Sequence, residues 1–312
     1  MYSLHSWLPL YPGHGYLGIT GVEFGDIKSK IVGSCNGILC MVEFVDSYWS
    51  ITLWNFLIRH KLTIPRDPRL KVSVTSCLVT FGFGYDPITY DYKIVCIPYL
   101  EFTKKHNSFI YSTKKGSWSV ITSPVIPFNC VESRACYFNG TLHWLVCVYV
   151  KESSTIHYTH YIVTFNMRTH VFDKILLPDS SSKAKQITIY NGALAFVSET
   201  SDDTSIWVMS EYNNVASWSL IYRLKPEQSK TVKYLQPMAN GDIVFNLKKG
   251  KYRVYHHKTG MFSDVFKFGR RYGLDMNTYV ESLELLDTGS PCGRTMFVLD
   301  GKEHDFDINI DN

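Results

Sequence analysis

Apolar and polar positions alternate along most of this chain. Period-two runs bounded by turn residues recur at 50–55, 93–97, 142–146 and 205–209, while long stretches with the 3.6-residue period of an amphipathic helix are hard to find. The pattern predicts short strands joined by tight turns. Asn36-Gly37, Asn139-Gly140 and Asn191-Gly192 each join two apolar runs, and Asn240-Gly241 opens the run 242–247. Asn-Gly suits the two positive φ angles of a tight hairpin. The glycines stand 103, 52 and 49 residues apart (37 to 140, 140 to 192, 192 to 241), and the first interval halves if Gly84-Tyr85-Asp86-Pro87 supplies a further turn.

A second spacing agrees with the first. An aromatic residue is followed seven positions later by another in Tyr111/Trp118, Phe165/Phe172 and Tyr255/Phe262, each pair enclosing a polar turn, and Trp54 opens a looser version. Both series repeat at about 50 residues, and four short strands per repeat at that period is kelch-like propeller spacing. The expected fold is all-β, a kelch-like β-propeller of about six four-stranded blades, with seven as the alternative. Blades are expected to start near 31, 78, 134, 186 and 233. A sixth would use 279–286 and 294–300, completed by 16–24, since propellers often close through both termini. In the third unit the strands read 134–138, 142–149, 161–166 and 171–177, with a ten-residue loop at 151–160.

Composition narrows the function classes. Of 312 residues, 45% are hydrophobic and 15% aromatic, enough to bury a core and weighted toward strand formers. The net charge of +4 is spread without long like-charge runs, which argues against nucleic acid. The longest apolar stretch, 142–150, is about half of a membrane span, and Pro9 and Pro12 interrupt any signal-peptide core. No membrane partner and no leader are expected. Of eight cysteines, Cys40, Cys77, Cys96, Cys136 and Cys147 sit inside apolar runs rather than loops, so reduced thiols and a cytoplasmic or nuclear location are expected. There is no Cys-x-x-Cys, and the His157/His160 and His256/His257 pairs have no cysteine at ligand spacing beside them, which argues against a structural zinc site. No cofactor and no metal are expected.

Several motifs imitate chemistry. Gly13-His-Gly-Tyr-Leu-Gly18 matches a dinucleotide fingerprint but lacks the strand before and the helix after it. Gly33-Ser-Cys-Asn-Gly37 imitates a nucleophile elbow around Cys35, yet runs into a strand. Asn139-Gly-Thr141 is a formal glycosylation acceptor whose residues the hairpin already requires, and Lys114-Lys115 reads as a solvated turn. No triad, carboxylate pair or metal cluster can be quoted, so an enzyme is not expected.

An ordered set of landmarks resembles the F-box associated domain of plant F-box proteins. It comprises Gly33-Ser-Cys-Asn-Gly-Ile-Leu-Cys40, Leu53-Trp-Asn55, Leu62-Thr-Ile-Pro65, Phe81-Gly-Phe-Gly-Tyr-Asp-Pro87 and Asp91-Tyr-Lys-Ile-Val95. Asn139-Gly-Thr-Leu-His-Trp144, Ile162-Val-Thr-Phe165 with Phe172, Leu176-Leu-Pro178 and Tyr279-Val-Glu-Ser-Leu283 complete it. The resemblance implies a domain over 31–286, flanked by an N-terminal segment at 1–30 belonging to ring closure and a C-terminal segment at 287–312. It further implies a protein-binding module, the substrate-recognition part of a Skp–cullin–F-box ubiquitin ligase. Residues 1–30 carry Gly13, Gly15, Gly18, Gly21 and Gly25 rather than the Leu-rich helix of an F-box. Binding to a Skp-type adaptor is therefore not expected of this chain, while an unidentified target protein is, with the chain itself a monomer.

In an antiparallel meander the first and third turns lie on one face of the ring, and the second loops and inter-blade connectors lie on the other. The second face is expected to carry the longer segments, 44–48, 98–106, 151–160 and 199–204, with connectors at 66–76 and 122–133. Aromatic residues on loops held by a rigid scaffold make good binding anchors. The candidate partner-binding residues are Tyr99, Phe102, His106, Tyr158 and His160. The alternative is a carbohydrate-binding, lectin-like propeller in which Trp49, Tyr99 and Tyr158 stack on sugar rings.

Overall fold

Three Asn-Gly pairs turn the chain with both residues at positive φ: Asn36 at 48° and Gly37 at 75°, Asn139 at 51° and Gly140 at 71°, Asn191 at 47° and Gly192 at 75°. That pairing defines the type I′ turn, whose twist matches the strands it joins. The structure, a computed structural model, describes residues 30–46, 48–55, 57–70, 78–99, 107–122, 124, 128, 130–152, 155–178, 183–200, 203–224, 232–238, 240–247 and 251–267. It also describes the short stretches 4–9, 16–21, 282–284, 296–299 and 302–305.

Strands β1 (Leu4–Pro9) and β2 (Tyr16–Gly21) form a two-stranded sheet. The first blade is the meander β3 (Lys30–Cys35), β4 (Ile38–Val45), β5 (Tyr48–Asn55) and β6 (His60–Thr63). The second is β7 (Leu78–Asp86), β8 (Asp91–Tyr99), β9 (Ser108–Ser112) and β10 (Ser117–Ile121). In the third, β11 (Cys130–Val131) and β12 (Cys136–Phe138) share one edge of β13 (Thr141–Glu152), followed by β14 (Thr155–Asn166) and β15 (Phe172–Leu176). The fourth is β16 (Lys183–Tyr190), β17 (Ala193–Glu199), β18 (Thr204–Met209) and β19 (Trp218–Leu224). The fifth is β20 (Val232–Pro237), β21 (Ile243–Leu247) and β22 (Lys251–His256), with an outer strand broken into β23 (Met261–Phe262) and β24 (Phe266–Lys267). Each blade begins within a few residues of its expected start.

The core is a set of apolar layers between neighbouring blades. One layer packs Ile38, Leu53 and Leu62 of the first blade against Phe81, Phe83 and Ile94 of the second. The next joins Val95 and Ile97 to Trp144 and Val163, the third joins Leu145 and Ile162 to Ile187 and Phe196, and the fourth joins Val197 and Ile206 to Leu235 and Phe245. Full burial of each large side chain contributes about 1.5–3 kcal/mol. Tryptophans fasten the second, third and fourth blades each to the one before: Trp118 Nε1 donates to Pro65 O at 2.9 Å, Trp144 Nε1 to Phe81 O at 3.3 Å and Trp218 Nε1 to Leu176 O at 3.1 Å.

The seven-residue aromatic spacing marks the third turn of the second, third and fifth blades. Tyr111 pairs with Trp118, Phe165 with Phe172 and Tyr255 with Phe262 directly across their ladders, with ring centroids 5.3, 4.7 and 5.0 Å apart. The looser version at Trp54 keeps the geometry and changes the chemistry. Its cross-strand neighbour is Lys61, whose Nζ lies 4.8 Å from the indole centroid.

The expected count of six blades is corrected to five among the described residues. A strand does form within 294–300, but β25 (Met296–Leu299) pairs with β6 at His60 and Lys61 and with β26 (Lys302–Asp305) on its other side. Those two strands widen the first blade to six instead of founding a sixth, because the outer edge of β6 offers unpaired backbone groups that a further strand satisfies. Ser282–Glu284 is not strand. It lies on the first blade, where buried Asn55 donates through Nδ2 to Ser282 O and Glu284 O, both at 2.9 Å, and Ser282 Oγ donates to Asn36 O at 2.7 Å. Residues 279–281 lie outside the described residues.

Candidate functional site

The two faces of the ring differ as strand polarity requires. On the face of first and third turns, side chains are spent on backbone groups. Asp86 accepts from Ile88 N and Thr89 N, Asn166 accepts from Arg168 N and Thr169 N, and Asp91 accepts from Ser112 Oγ, Thr113 Oγ1 and Lys114 N. Between the second and third blades, Lys93 Nζ reaches Asp86 at 2.9 Å and Met167 O at 2.7 Å, with both charged side chains buried. Burial opposes the Asp86 carboxylate, but the Lys93 ammonium, the Thr89 hydroxyl and the Ile88 N–H outweigh it and hold its pKa down at about 2. Above this pair lies a cleft of about 160 Å³ lined by Pro87, Ile88, Asn139, Gly140 and Arg168. The ion pair lies within the second blade with its charges already matched, and the Lys93 bond to Met167 O joins that blade to the third.

The face of second loops and connectors has a different character, because the third blade projects beyond it. β13 and β14 stay paired through Val148↔Thr159, Tyr149↔Tyr158, Val150↔His157 and Lys151↔Ile156 to Glu152↔Thr155. β11 pairs with β13 at Val146 and Cys147, and β15 reaches along β14 only to Tyr161. The outer ends of the hairpin therefore form a two-stranded ribbon. Five residues per strand at about 3.4 Å each gives a projection on the order of 17 Å.

This corrects the expected loop at 151–160, whose residues continue the strands on either side. Each strand keeps its cross-strand partner to Glu152↔Thr155, and strands need not stop where the rest of their blade stops. Tyr158 is on the ribbon and 56% exposed, its ring 6.2 Å from Tyr149. His160, a candidate binding residue expected on that loop, instead stands within the blade at the root of the ribbon, opposite Cys147, and is only 7% exposed. Tyr99 ends β8 half-buried, with its ring 5.5 Å from Phe128. Phe102 and His106 lie outside the described residues. The segment 44–48 expected to be a long loop is a tight turn, since β4 runs to Val45 and β5 starts at Tyr48. Trp49, one of the three sugar-stacking candidates, is packed inward, its ring 5.1 Å from Phe44 and 5.3 Å from Phe81.

Among the described residues one group of ligand-type side chains converges, at the root of the ribbon. The ligand atoms of Cys130, Glu132 and Cys147 lie within 4.8 Å of one another. Burial first, then the neighbouring Glu132 carboxylate, pushes the Cys130 thiol up, and burial does the same to Cys147. The sequence spacing hides this group, because strand register and not a local motif assembles it.

The F-box associated beta propeller domain family matches residues 21–257. A similar relative is an F-box/kelch-repeat protein of Arabidopsis thaliana, 31% identical over 61% of this chain and 51% of the relative. Another is an F-box protein of Arabidopsis thaliana, 23% identical over 83% of this chain and 70% of the relative. The chain thus spans about half the length of the first of these curated relatives. Among solved structures, an oligogalacturonate lyase of Vibrio parahaemolyticus superposes with a TM-score of 0.41 at 10% identity, covering 75% of this chain and 76% of that one.

Proposed function

We propose a function from one premise, that the chain belongs to the F-box associated beta propeller domain family: the propeller captures a target protein for a ubiquitin ligase of the Skp–cullin–F-box type. The observation that carries this reading is the β13–β14 ribbon, whose paired ladder carries Tyr149 and exposed Tyr158 beyond the residues that β11 and β15 pair with. Tyrosine offers large contact area with few rotors to freeze, and aromatic residues dominate the energetics of interfaces. The face of tight turns offers less for recognition, since its polar side chains are engaged by its own backbone. Target capture is assigned to the ribbon and to Tyr99 at the end of β8, and adaptor binding is not assigned to this propeller.

The experiment is quantitative mass spectrometry of proteins retained by the immobilised chain and by two block variants. Alanine at His157, Tyr158 and Thr159 is expected to weaken a specifically retained protein by roughly 1–2 kcal/mol, a five- to thirty-fold loss. Alanine at Lys114 and Lys115 is expected to leave it bound. The opposite ranking would move recognition to the other face and overturn the assignment.

A further inference from the structure

We propose that Cys130, Cys147, Glu132 and His160 form a tetrahedral site for a thiolate-preferring divalent cation, zinc above all, at the root of the β13–β14 ribbon. Register builds the site. Cys130 stands directly opposite Cys147 across β11 and β13, and Cys147 directly opposite His160 across β13 and β14, so the three side chains form one row on one face of the blade. Glu132 lies two residues beyond Cys130 and so returns to the same face, its place fixed by its N–H donating to Leu145 O at 2.9 Å.

The distances suit a metal. Cys130 Sγ is 3.3 Å from Glu132 Oε1, and His160 Nε2 is 3.8 Å from that same oxygen. Around a cation with Zn–S of about 2.3 Å and Zn–N and Zn–O of about 2.0–2.2 Å, ligand atoms stand roughly 3.4–3.8 Å apart. The ligand atoms of Cys130, Glu132 and Cys147 already lie within 4.8 Å of one another, while the His160 ring, near Glu132 but outside that cluster, has to swing toward the two sulfurs to complete the set. The imidazole supplies a second, independent sign. His160 is 7% exposed, and its Nδ1 has no hydrogen-bond partner. Its Nε2 stands too far from Glu132 for a good hydrogen bond. Nε2, the nitrogen that faces Glu132 without a good hydrogen bond, is the one a cation would engage; Nδ1 would keep its present surroundings.

Two thiolates, an imidazole and a carboxylate in tetrahedral array select zinc over magnesium or calcium, which take all-oxygen sets. Binding releases the two thiol protons to solvent. Glu132, whose side chain is 35% exposed, provides the path of entry. The bound ion would clamp β11, two residues long, onto β13 at the base of the ribbon, whatever the ribbon binds.

The test is metal content and cobalt(II) spectroscopy of the full chain purified in reductant with zinc. One equivalent of zinc per chain is expected, and cobalt in its place should show the intense ligand-field bands of tetrahedral geometry with charge transfer from two sulfurs. Cys130→Ser with Cys147→Ser should abolish uptake, and His160→Gln should weaken it. Because Glu132 is partly exposed, Glu132→Gln tests the site without threatening the fold, and should lower zinc affinity at least about tenfold. Metal-free protein with both thiols titratable, a Cys130–Cys147 disulfide without metal, octahedral cobalt, or unchanged affinity in the Glu132→Gln or His160→Gln variant would overturn the assignment.

Discussion

His143 shows how a single side chain can look catalytic and be structural. It is fully buried, with Nδ1 3.1 Å from Cys136 O and Nε2 2.9 Å from the Tyr212 hydroxyl. Nδ1 donates to the carbonyl, so Nε2 accepts from Tyr212, which is the neutral ring. Burial is the main reason its pKa falls to about 4, with the Cys136 carbonyl opposing. The folded protein therefore keeps the ring neutral at pH values where the unfolded chain protonates it. Above the unfolded pKa of about 6.5 this has no effect on stability. As pH falls from there toward about 4, the unfolded state binds the extra proton and stability declines. Urea unfolding of the wild type and His143→Gln at pH 7 and pH 4.5 checks this. The wild type is expected to lose on the order of 2 kcal/mol more than the variant between the two values. Equal losses would mean that His143 titrates normally in the fold.

At the scale of one strand, the Phe81-Gly-Phe-Gly-Tyr run of β7 has a packing reason. Phe81, Phe83 and Tyr85 face the first blade, while Gly82 and Gly84 face the third. A Cβ on Gly82 would come within 2.6 Å of Trp144 Cζ2 and 2.8 Å of Leu142 Cδ1, so the glycine lets the tryptophan lie against the backbone and donate to Phe81 O. Gly82→Ala is expected to destabilise by about 1–3 kcal/mol in urea unfolding, the usual cost of overpacking. Gly33→Ala, where a Cβ would meet nothing within 4 Å, is the control and should change stability by about 0.5 kcal/mol or less. Similar losses in both would remove the tight approach as the cause. Strands of this kind were legible in sequence because alternation and turn chemistry are local. The Cys130–Cys147–His160 row was not, since it depends on which residues face each other across two ladders. The extension of β13 and β14 escaped for a related reason: a polar, aromatic stretch reads as loop until its partner strand is known.

For the whole molecule, a repeat near 50 residues specified the propeller class and the start of each blade, but ring size depends on where the C-terminal strands go. That is decided by the free edge of β6, more than two hundred residues from β25 in sequence. Five blades hold the ribbon on a scaffold knitted by inter-blade bonds, such as Gln186, which accepts from Leu235 N at 2.9 Å and donates to Leu235 O at 2.6 Å. The central claim is that this scaffold presents a capture surface on the ribbon side. Site-specific photo-crosslinking tests it most directly, with a benzophenone amino acid placed at Tyr158 or, on the opposite face, at Lys115, in otherwise native chain exposed to a plant extract. A discrete crosslinked protein from position 158, absent from position 115, is the predicted result; the same or a stronger product from position 115 and none from 158 would contradict it.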